Sequence, residues 1–323
     1  MRIAVTGSIA TDHLMMFSGK FTDTLIAGKL DKVSLSFLVG DLEIRRGGVA
    51  GNISFGLGCL GLQPLLVGSV GADFADYRDW LQAHGVDTSG VRTSAAKHTA
   101  RFVATNDSVG NQIASFYPGA MSEDGEIDIA SLAASNGVDL VVIGAGDPVA
   151  MQQFTADCRA AGVPFAADFS QQVAFLDGDS MRTLMEGAEY LFCNEYEEAV
   201  IESKTGLSNQ DILERVRTRI ITLGADGARV ERDGEAPVVV GSVPDAKFVE
   251  PTGAGDAFRC GFLAGVSWGL STERAIQLGN LMAVHVLETV GPQEYELKPG
   301  ALADRAAAAY GDEAAADLTA HLS

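Results

Sequence analysis

The chain has 323 residues, 47% of them hydrophobic, and its 43 acidic and 23 basic side chains give a formal net charge of −20. This length and apolar content are enough for one large core, or for one core with a small appendage. Because so acidic a surface repels polyanions, the composition argues against nucleic acid and against anionic membranes as partners.

The first predicted element is a short buried strand within residues 1–7, which do not have the layout of a signal peptide. No apolar run reaches the roughly 18 residues that a membrane-spanning helix needs. The cysteines are far apart in apolar surroundings, a pattern typical of buried free thiols and unlike a metal site. They are Cys59, Cys158, Cys193 and Cys260. We therefore expect a cytoplasmic protein in which residues 1–323 form a single unit.

Two regions, about 14–46 and 98–117, contain strand-like segments with no helix between them. The predicted strands span 32–39, 99–105 and 112–117. The polar, glycine-containing stretch at 106–111 is typical of a hairpin loop. We expect these regions to form a small, mostly antiparallel sheet that acts as a lid beside the main sheet.

The segment Arg-Gly-Gly-Val-Ala-Gly-Asn at 46–52 follows the first of these regions. Its paired glycines allow close backbone approach, and Asn52 offers a donor and an acceptor, which together suit the vicinal hydroxyls of a sugar. A tight turn ahead of a helix at about 53–60 would need the same residues, so both interpretations stay open.

From about residue 138 onward, short apolar strands alternate with helical segments. The predicted strands span 139–143, 163–168, 190–193 and 219–223. Asp147 is expected to cap a helix that has Pro148 in its first turn, and the alanine-rich C-terminal segment is also predicted to be helical. This alternation indicates a parallel sheet covered by helices on both faces.

Polar residues follow two of these strands, at the edge where open α/β sheets bind ligands. Asn194 and Glu197 share one face of a predicted helical first turn, and their oxygen atoms suit Mg²⁺ bound through water. An acidic helix start gives the same pattern. The segment from Thr222 through Gly224 to Gly227 has glycines that would let a nucleotide pass above the backbone, although a simple turn explains them equally well.

The most informative stretch is Glu-Pro-Thr-Gly-Ala-Gly-Asp-Ala-Phe at 250–258. Small residues there leave N–H groups uncovered at the start of a helix, where anions bind. Asp256, in the first turn, suits a general base that takes a proton from an attacking hydroxyl. A phosphoryl site beside a base indicates kinase chemistry. A glycine-rich turn with an acidic cap is the alternative.

Four of these clusters occur in an order that resembles the ribokinase-like (PfkB) family of carbohydrate and nucleoside kinases. They are 47–52, 194–197, 222–224 and 253–256. The resemblance extends over almost the whole chain and implies an α/β fold, a doubly wound sheet covered by helices on both faces, with a small β-sheet lid. Further segments look most similar to bacterial adenosine kinases. They are 7–12, 34–37, 114–119 and 168–172.

The resemblance implies transfer of the γ-phosphoryl group of ATP, the co-substrate, to the 5′-hydroxyl of adenosine. Asp256 would accept the hydroxyl proton, and neighbouring N–H groups would form an anion hole. The catalytic segment would be Gly253, Ala254, Gly255 and Asp256. Mg²⁺ would be held near Asn194 and Glu197. The residues implied to contact ATP are Asn194, Thr222, Gly224, Gly227 and Gly255.

By the same resemblance, adenosine would bind beneath the lid. Its ribose hydroxyls would be held by Asp12, Gly48 and Asn52, with Ser8 and Ser36 nearby. The adenine would lie between Phe102 and Phe116, in a pocket lined by Gln171 and Gln172. Stacking on a base is worth roughly 1–3 kcal/mol, which would favour a nucleoside over a bare sugar. Packing within the lid would also explain both phenylalanines.

One residue departs from the family pattern. Relatives usually have Asp where this chain has Glu250, and that position helps them to hold a monovalent cation beside the anion hole. Because Glu is one methylene longer, the resemblance does not extend to this cation, and the use of K⁺ as a cofactor stays open.

Since exposed strand edges tend to be paired or covered, we also predict a homodimer formed through the lids, with Phe102 reaching the partner's site.

Two other functions stay open. A sugar kinase of the same family would act on ribose, fructose or a similar substrate. A catalytically silent regulator would bind a nucleoside or sugar without turnover, but the presence of Asp256 within a complete anion-hole segment argues against it.

Overall fold

The computed structural model of the protein describes residues 1–25 and 34–322. The strands are β1 (Ile3–Thr6), β2 (Ala10–Met16), β3 (Asp41–Gly47), β4 (Leu65–Val70), β5 (Asp87–Thr93), β6 (Ala100–Asn106), β7 (Gln112–Tyr117), β8 (Leu140–Ile143), β9 (Phe165–Asp168), β10 (Tyr190–Asn194), β11 (Arg219–Thr222), β12 (Ala228–Glu231) and β13 (Val238–Val240). The helices are α1 (Phe21–Thr24), α2 (Val49–Cys59), α3 (Ala75–Ala83), α4 (Ile129–Asn136), α5 (Pro148–Ala161), α6 (Gly178–Met185), α7 (Glu195–Thr205), α8 (Asn209–Leu213), α9 (Ala254–Ser267), α10 (Thr272–Leu287), α11 (Pro299–Tyr310) and α12 (Asp312–Thr319).

The larger sheet has the strand order β13-β12-β11-β10-β9-β8-β1-β4-β5. Neighbouring strands are parallel from β5 to β11, and β12 and β13 add an antiparallel edge. Alternate residues of its strands belong to two apolar clusters: Leu140 and Val142 to one, Val141 and Ile143 to the other. Because side chains alternate between the faces of a strand, both faces of the sheet are buried under helices. The predicted fold class is confirmed.

The order of the strands defines where a ligand is expected to bind. The chain adds β4 and β5 on one side of β1 and then returns to add β8 on the other side. The carboxyl ends of β1 and β8 are therefore the switch point at which open α/β sheets bind ligands. Ser8, directly after β1, donates its N–H to the carbonyl oxygen of Ala145, after β8 (2.9 Å).

The smaller sheet has the order β3-β2-β6-β7, with β2 and β6 parallel and the other neighbours antiparallel. One predicted strand is wrong. Residues 34–39 form no strand, and 32–33 lie outside the described residues. The partner of β2 is β3 instead, in register from Ala10 opposite Gly47 to Met16 opposite Asp41. Phe37 packs against Phe17, with ring centroids 5.0 Å apart, whereas Leu38 is 91% exposed, so aromatic packing accounts for Phe37 alone.

Several local predictions hold in the structure. Asp147 caps α5, accepting hydrogen bonds from the N–H groups of Val149 and Ala150 (both 3.0 Å), and Pro148 begins that helix. The helix predicted at about 53–60 begins earlier, at Val49. The cysteines are free; Cys59 is partly exposed and the other three are buried. In the described ranges, no helix is long and apolar enough to cross a bilayer.

Candidate active site

Two neighbouring cavities lie at the carboxyl end of the larger sheet. The polar cavity, of about 800 Å³, lies between this sheet and the smaller one. The apolar cavity, of about 730 Å³, is lined largely by hydrophobic side chains such as Val243, Phe258 and Leu287. Asn194 and Gly255 line both cavities, so the cavities meet at the start of α9.

The structure brings most of the predicted site residues to these cavities. Those lining the polar cavity are Ser8, Asp12, Gly48, Asn52, Phe102, Phe116, Gln171, Asn194, Glu197, Gly253, Gly255 and Asp256. Those lining the apolar cavity are Asn194, Thr222, Gly224, Gly227, Ala254 and Gly255. Ser36 is exposed and lines neither cavity. Gln172 is also outside the polar cavity, because its Nε2 donates to the carbonyl oxygen of Gly146 (2.7 Å).

The start of α9 presents N–H groups to the junction of the cavities. Gly253 precedes the helix with a φ of +82°, and a Cβ there would be 2.5 Å from the Cβ of Pro292, so the turn requires glycine. The N–H of Ala254 is used within the turn, where it donates to the carbonyl oxygen of Pro251 (3.2 Å). The N–H groups of Gly255 and Asp256 have no intrahelical partner at this position. They are the donors available to an anion.

Asp256 lies at the same junction, where its side chain is half-buried. Burial raises the pKa of its carboxyl to about 6, while the Arg259 guanidinium and a hydrogen bond from Asn52 act in the opposite direction. Asn52 Nδ2 donates to Asp256 Oδ2 at 2.8 Å. Asn52, which the resemblance assigns to the ribose hydroxyls, therefore also orients Asp256, the predicted base. A carboxyl with this pKa is mostly ionised at neutral pH, as a general base must be.

A buried ion pair lies close to Asp256 and affects its pKa. Arg259, one turn further along α9, binds Asp168 through Nε–Oδ2 (2.5 Å) and Nη2–Oδ1 (2.7 Å) contacts. Ser170 donates its hydroxyl to Asp168 Oδ1 (2.9 Å) and has a φ of +41°, which is unusual for a residue other than glycine. Backbone conformations of this kind concentrate at functional sites.

A second ion pair joins the smaller sheet to the loop ahead of α9. Arg45 Nη1 donates to both carboxylate oxygens of Glu250, at 2.7 and 3.0 Å, and its other nitrogens donate to Glu43 (2.7 and 2.9 Å). Glu250 also accepts the N–H of Gly291 (3.2 Å). The Arg45 guanidinium thus forms an ion pair with Glu250, the carboxylate at the position that the resemblance links to a monovalent cation such as K⁺. On the opposite strand, burial raises the pKa of Asp12 to about 6 although Arg45 lowers it.

Asn194 and Glu197 form a capping box at the start of α7. Asn194 Oδ1 accepts the N–H of Glu197 (2.8 Å), and Glu197 Oε2 accepts the N–H of Asn194 (2.9 Å). Burial raises the pKa of Glu197. The acidic helix start considered in the sequence is therefore present, and these bonds leave Glu197 Oε1 to bind water. This donor set fits Mg²⁺ held through water better than direct coordination.

Phe102 and Phe116 are directly opposite each other on β6 and β7. Side chains of opposed residues project from the same face of a sheet, with Cβ atoms about 5 Å apart. Both rings line the polar cavity from the smaller sheet, and we call them the aromatic platform. Within one chain they do not enclose a base from both sides.

Five residues of the site were not found from the sequence. They are Arg45, Tyr77, Asp168, Arg259 and Gln293. Arg259 had a usable signal, since it is a lone charge in the otherwise apolar part of α9. Asp168 begins the segment 168–172 that supports the resemblance, although no role was assigned to it there. Arg45, Tyr77 and Gln293 had no signal, because their partners are distant in the chain; Arg45 and Glu250, for example, are 205 residues apart.

Comparison with known proteins gives consistent matches. The model of the pfkB family of carbohydrate kinases matches residues 6–298. The nucleoside kinase of Methanocaldococcus jannaschii is 27% identical over 252 residues, which are 76% of this chain and 80% of that protein. The structure of Burkholderia thailandensis nucleoside kinase in complex with inosine is 33% identical, covers 96% of this chain and 98% of its own, and superposes with a TM-score of 0.83. The same enzyme in complex with ADP-inosine gives a TM-score of 0.81.

Proposed function

The chain belongs to the pfkB family of carbohydrate kinases, and we propose that it transfers the γ-phosphoryl group of ATP to the 5′-hydroxyl of adenosine, giving AMP and ADP. The observation that carries this proposal is the position of Asp256. Its half-buried carboxyl lies where a polar cavity with an aromatic platform meets an apolar cavity with free N–H groups at its edge.

In this proposal adenosine binds in the polar cavity and ATP in the apolar one. Asp256 takes the proton of the 5′-hydroxyl as that oxygen attacks the γ-phosphorus. The N–H groups of Gly255 and Asp256 stabilise the charge that develops on the transferring group. Asn194 and Glu197 would hold Mg²⁺ through water, and the ion would supply charge neutralisation at the phosphates. Closure of the smaller sheet as a lid would exclude water, a competing acceptor.

The charges of the polar cavity favour a neutral acceptor. Among the described residues, the cationic side chains that line it are Arg45 and Arg259, and each already binds a carboxylate. Asp12 and Asp256 add further acidic groups. An acceptor that carries a phosphate would meet unbalanced negative charge, so a nucleoside or a free sugar fits better than a sugar phosphate.

The aromatic platform favours a nucleoside over a free sugar. Phe102 and Phe116 line the cavity, and Phe116 is 49% exposed, which leaves its ring available to a base. Inosine and ADP-inosine are the ligands in the complexes of the Burkholderia enzyme. A sugar kinase acting on ribose or fructose is the second candidate, because Asp12, Gly48 and Asn52 would bind sugar hydroxyls equally well without a base.

The outer face of the smaller sheet supports a homodimer formed through the lids. On the face turned away from the polar cavity, Leu42, Ile44 and Ile113 are 56%, 58% and 47% exposed. A second copy of this chain would cover these apolar groups. Phe102 projects from the opposite face into its own polar cavity, so this dimer does not support the expectation that Phe102 reaches the partner's site. Light scattering at micromolar concentration should give twice the monomer mass. Ile44→Glu should give the monomer mass, and a monomeric wild-type protein would reject the dimer.

The function is tested by measuring ADP release with ATP and Mg²⁺ across adenosine, guanosine, inosine, ribose, fructose and fructose 1-phosphate. We expect the highest kcat/KM with adenosine and no turnover of fructose 1-phosphate. Preference for a free sugar would replace the substrate but keep the role of Asp256. Binding of adenosine with no turnover of any acceptor would favour the silent regulator.

A further inference from the structure

A row of buried side chains connects Asp256 to the backbone of Gly47. Asn52 Nδ2 donates to Asp256 Oδ2 (2.8 Å), and Gln293 Nε2 donates to Asn52 Oδ1 (2.9 Å). Gln293 Nε2 also donates to the hydroxyl oxygen of Tyr77 (2.5 Å), which in turn donates to the carbonyl oxygen of Gly47 (2.9 Å). The row joins residues from β3, α2, α3, α9 and the loop after α10.

Each amide in this row has only one suitable orientation. A carboxylate accepts hydrogen bonds only, so Asn52 must present its nitrogen to Asp256 and its oxygen to Gln293. Gln293 must therefore present its nitrogen to Asn52. Since the Tyr77 hydroxyl donates to a carbonyl oxygen that can only accept, its own oxygen receives the second hydrogen of Gln293 Nε2.

Gln293 is buried with its hydrogen-bond donors paired and its acceptor unpaired, which indicates that the N–H groups are the functional part of its side chain. Its side chain is fully buried, and Tyr77 is 4% exposed. Among the described residues Gln293 Oε1 has no hydrogen-bond partner, whereas both hydrogens of Nε2 are used. Burying an unpaired carbonyl oxygen is unfavourable, so an apolar residue would pack here at lower cost if the amide nitrogen were not needed.

We propose that Gln293 is a positioning residue that acts through Asn52 and keeps an N–H donor directed at Asp256. The proposal rests on the proposed function only in that Asp256 is taken as the base. Without this restraint only Asp256 itself orients the Asn52 amide, so the amide rotates away in part of the molecules and the hydrogen bond to Asp256 is weakened. The charged groups around Asp256 are Arg259, which lowers its pKa, and Asp168 and Glu197, which raise it. Loss of the Asn52 donor leaves these groups in place and raises the pKa further.

The test compares Gln293→Met, which removes the donor, with Gln293→Glu, which replaces it by an acceptor. Asp256 is titrated by ¹³C NMR of aspartate-labelled, ligand-free protein, with the signal assigned through Asp256→Asn. The acid limb of kcat/KM is measured in parallel. We expect both pKa values to rise by roughly half a unit or more in Gln293→Met and by more in Gln293→Glu. Unchanged pKa values in folded variants would overturn the proposal.

Two further variants complete the experiment. Gln277→Met removes another buried amide, one that bonds Arg274 and Glu273 on α10, and should leave the Asp256 titration unchanged. If the Gln293 variants do not fold, Tyr77→Phe frees one Gln293 N–H and should raise the pKa by a smaller amount; no rise would reject the proposal. Because the NMR titration needs no substrate, it gives an answer even if adenosine is not the acceptor.

Discussion

The two cavities of this protein are built in different ways, although they share Asn194 and Gly255. The polar cavity depends on pairs that join distant parts of the chain, such as Asn52 with Asp256, 204 residues apart. The apolar cavity is formed largely by the turn after β11, the loop at 242–248 after β13 and the hydrophobic sides of α9 and α10. In the proposed function, fixed charges on one side and an apolar surface on the other separate the chemistry of the acceptor from the binding of the nucleotide. Changes in the polar cavity should therefore alter turnover and acceptor binding while nucleotide binding is retained.

The largest expected effect is that of Asp256→Asn. This change keeps the shape but removes the base, so kcat should fall by roughly 10²–10⁴-fold. The affinity for ADP, measured by calorimetry, should stay close to that of the wild type. In the wild type kcat/KM should fall as the pH drops through about 6, because Asp256 must be ionised to accept a proton. Near-normal turnover of the variant would contradict the role of Asp256.

The next largest effect is expected from the buried Arg259–Asp168 ion pair, which should stabilise the fold as well as support turnover. Arg259→Met leaves the fully buried Asp168 carboxylate without its partner, which we expect to cost about 3–5 kcal/mol of unfolding free energy. Urea denaturation measures this loss. The double variant Asp168→Asn with Arg259→Met removes both charges and should recover much of the stability. Equal stability of Arg259→Met and wild type would show that the pair is dispensable.

The aromatic platform should affect the acceptor alone. Phe102→Ala or Phe116→Ala should raise the KM for adenosine by roughly 5- to 150-fold, which corresponds to about 1–3 kcal/mol of stacking. The KM for ATP should not change, since neither ring lines the apolar cavity. Initial rates at varied adenosine and varied ATP separate the two constants. An unchanged KM for adenosine would favour a free sugar as substrate.

The smallest effect is expected from monovalent cations. Replacing K⁺ by choline at constant ionic strength should change kcat by less than about twofold, because the Arg45 guanidinium already binds Glu250. Glu250→Asp shortens the side chain and loosens this pair, so it is the variant in which a response to K⁺ should appear. A strong response of the wild-type enzyme would show that the ion pair does not replace the cation.

Local features of the sequence predicted much of the fold. The alternation of apolar strands and helices after residue 138 indicated the parallel sheet, and the Asp147-Pro148 pair located the start of α5. The smaller sheet was expected, but one of its strands was misplaced, because Phe37 packs with other aromatic rings while β3 pairs with β2. No residue of 34–39 is fully buried, and Leu38 is 91% exposed, so the apolar pattern there indicated neither a strand nor burial.

The sequence by itself identified the family by resemblance, which the comparisons confirm, and several of the segments that line the two cavities. It could do so because N–H groups at a helix start, a capping acid and a glycine turn are properties of neighbouring residues. Only the tertiary structure decided which partners surround Asp256. Arg259 is on the same helix as Asp256, but Asn52 and Asp168 come from other elements, and their effect on the Asp256 carboxyl depends on distances of a few ångströms that no local pattern encodes.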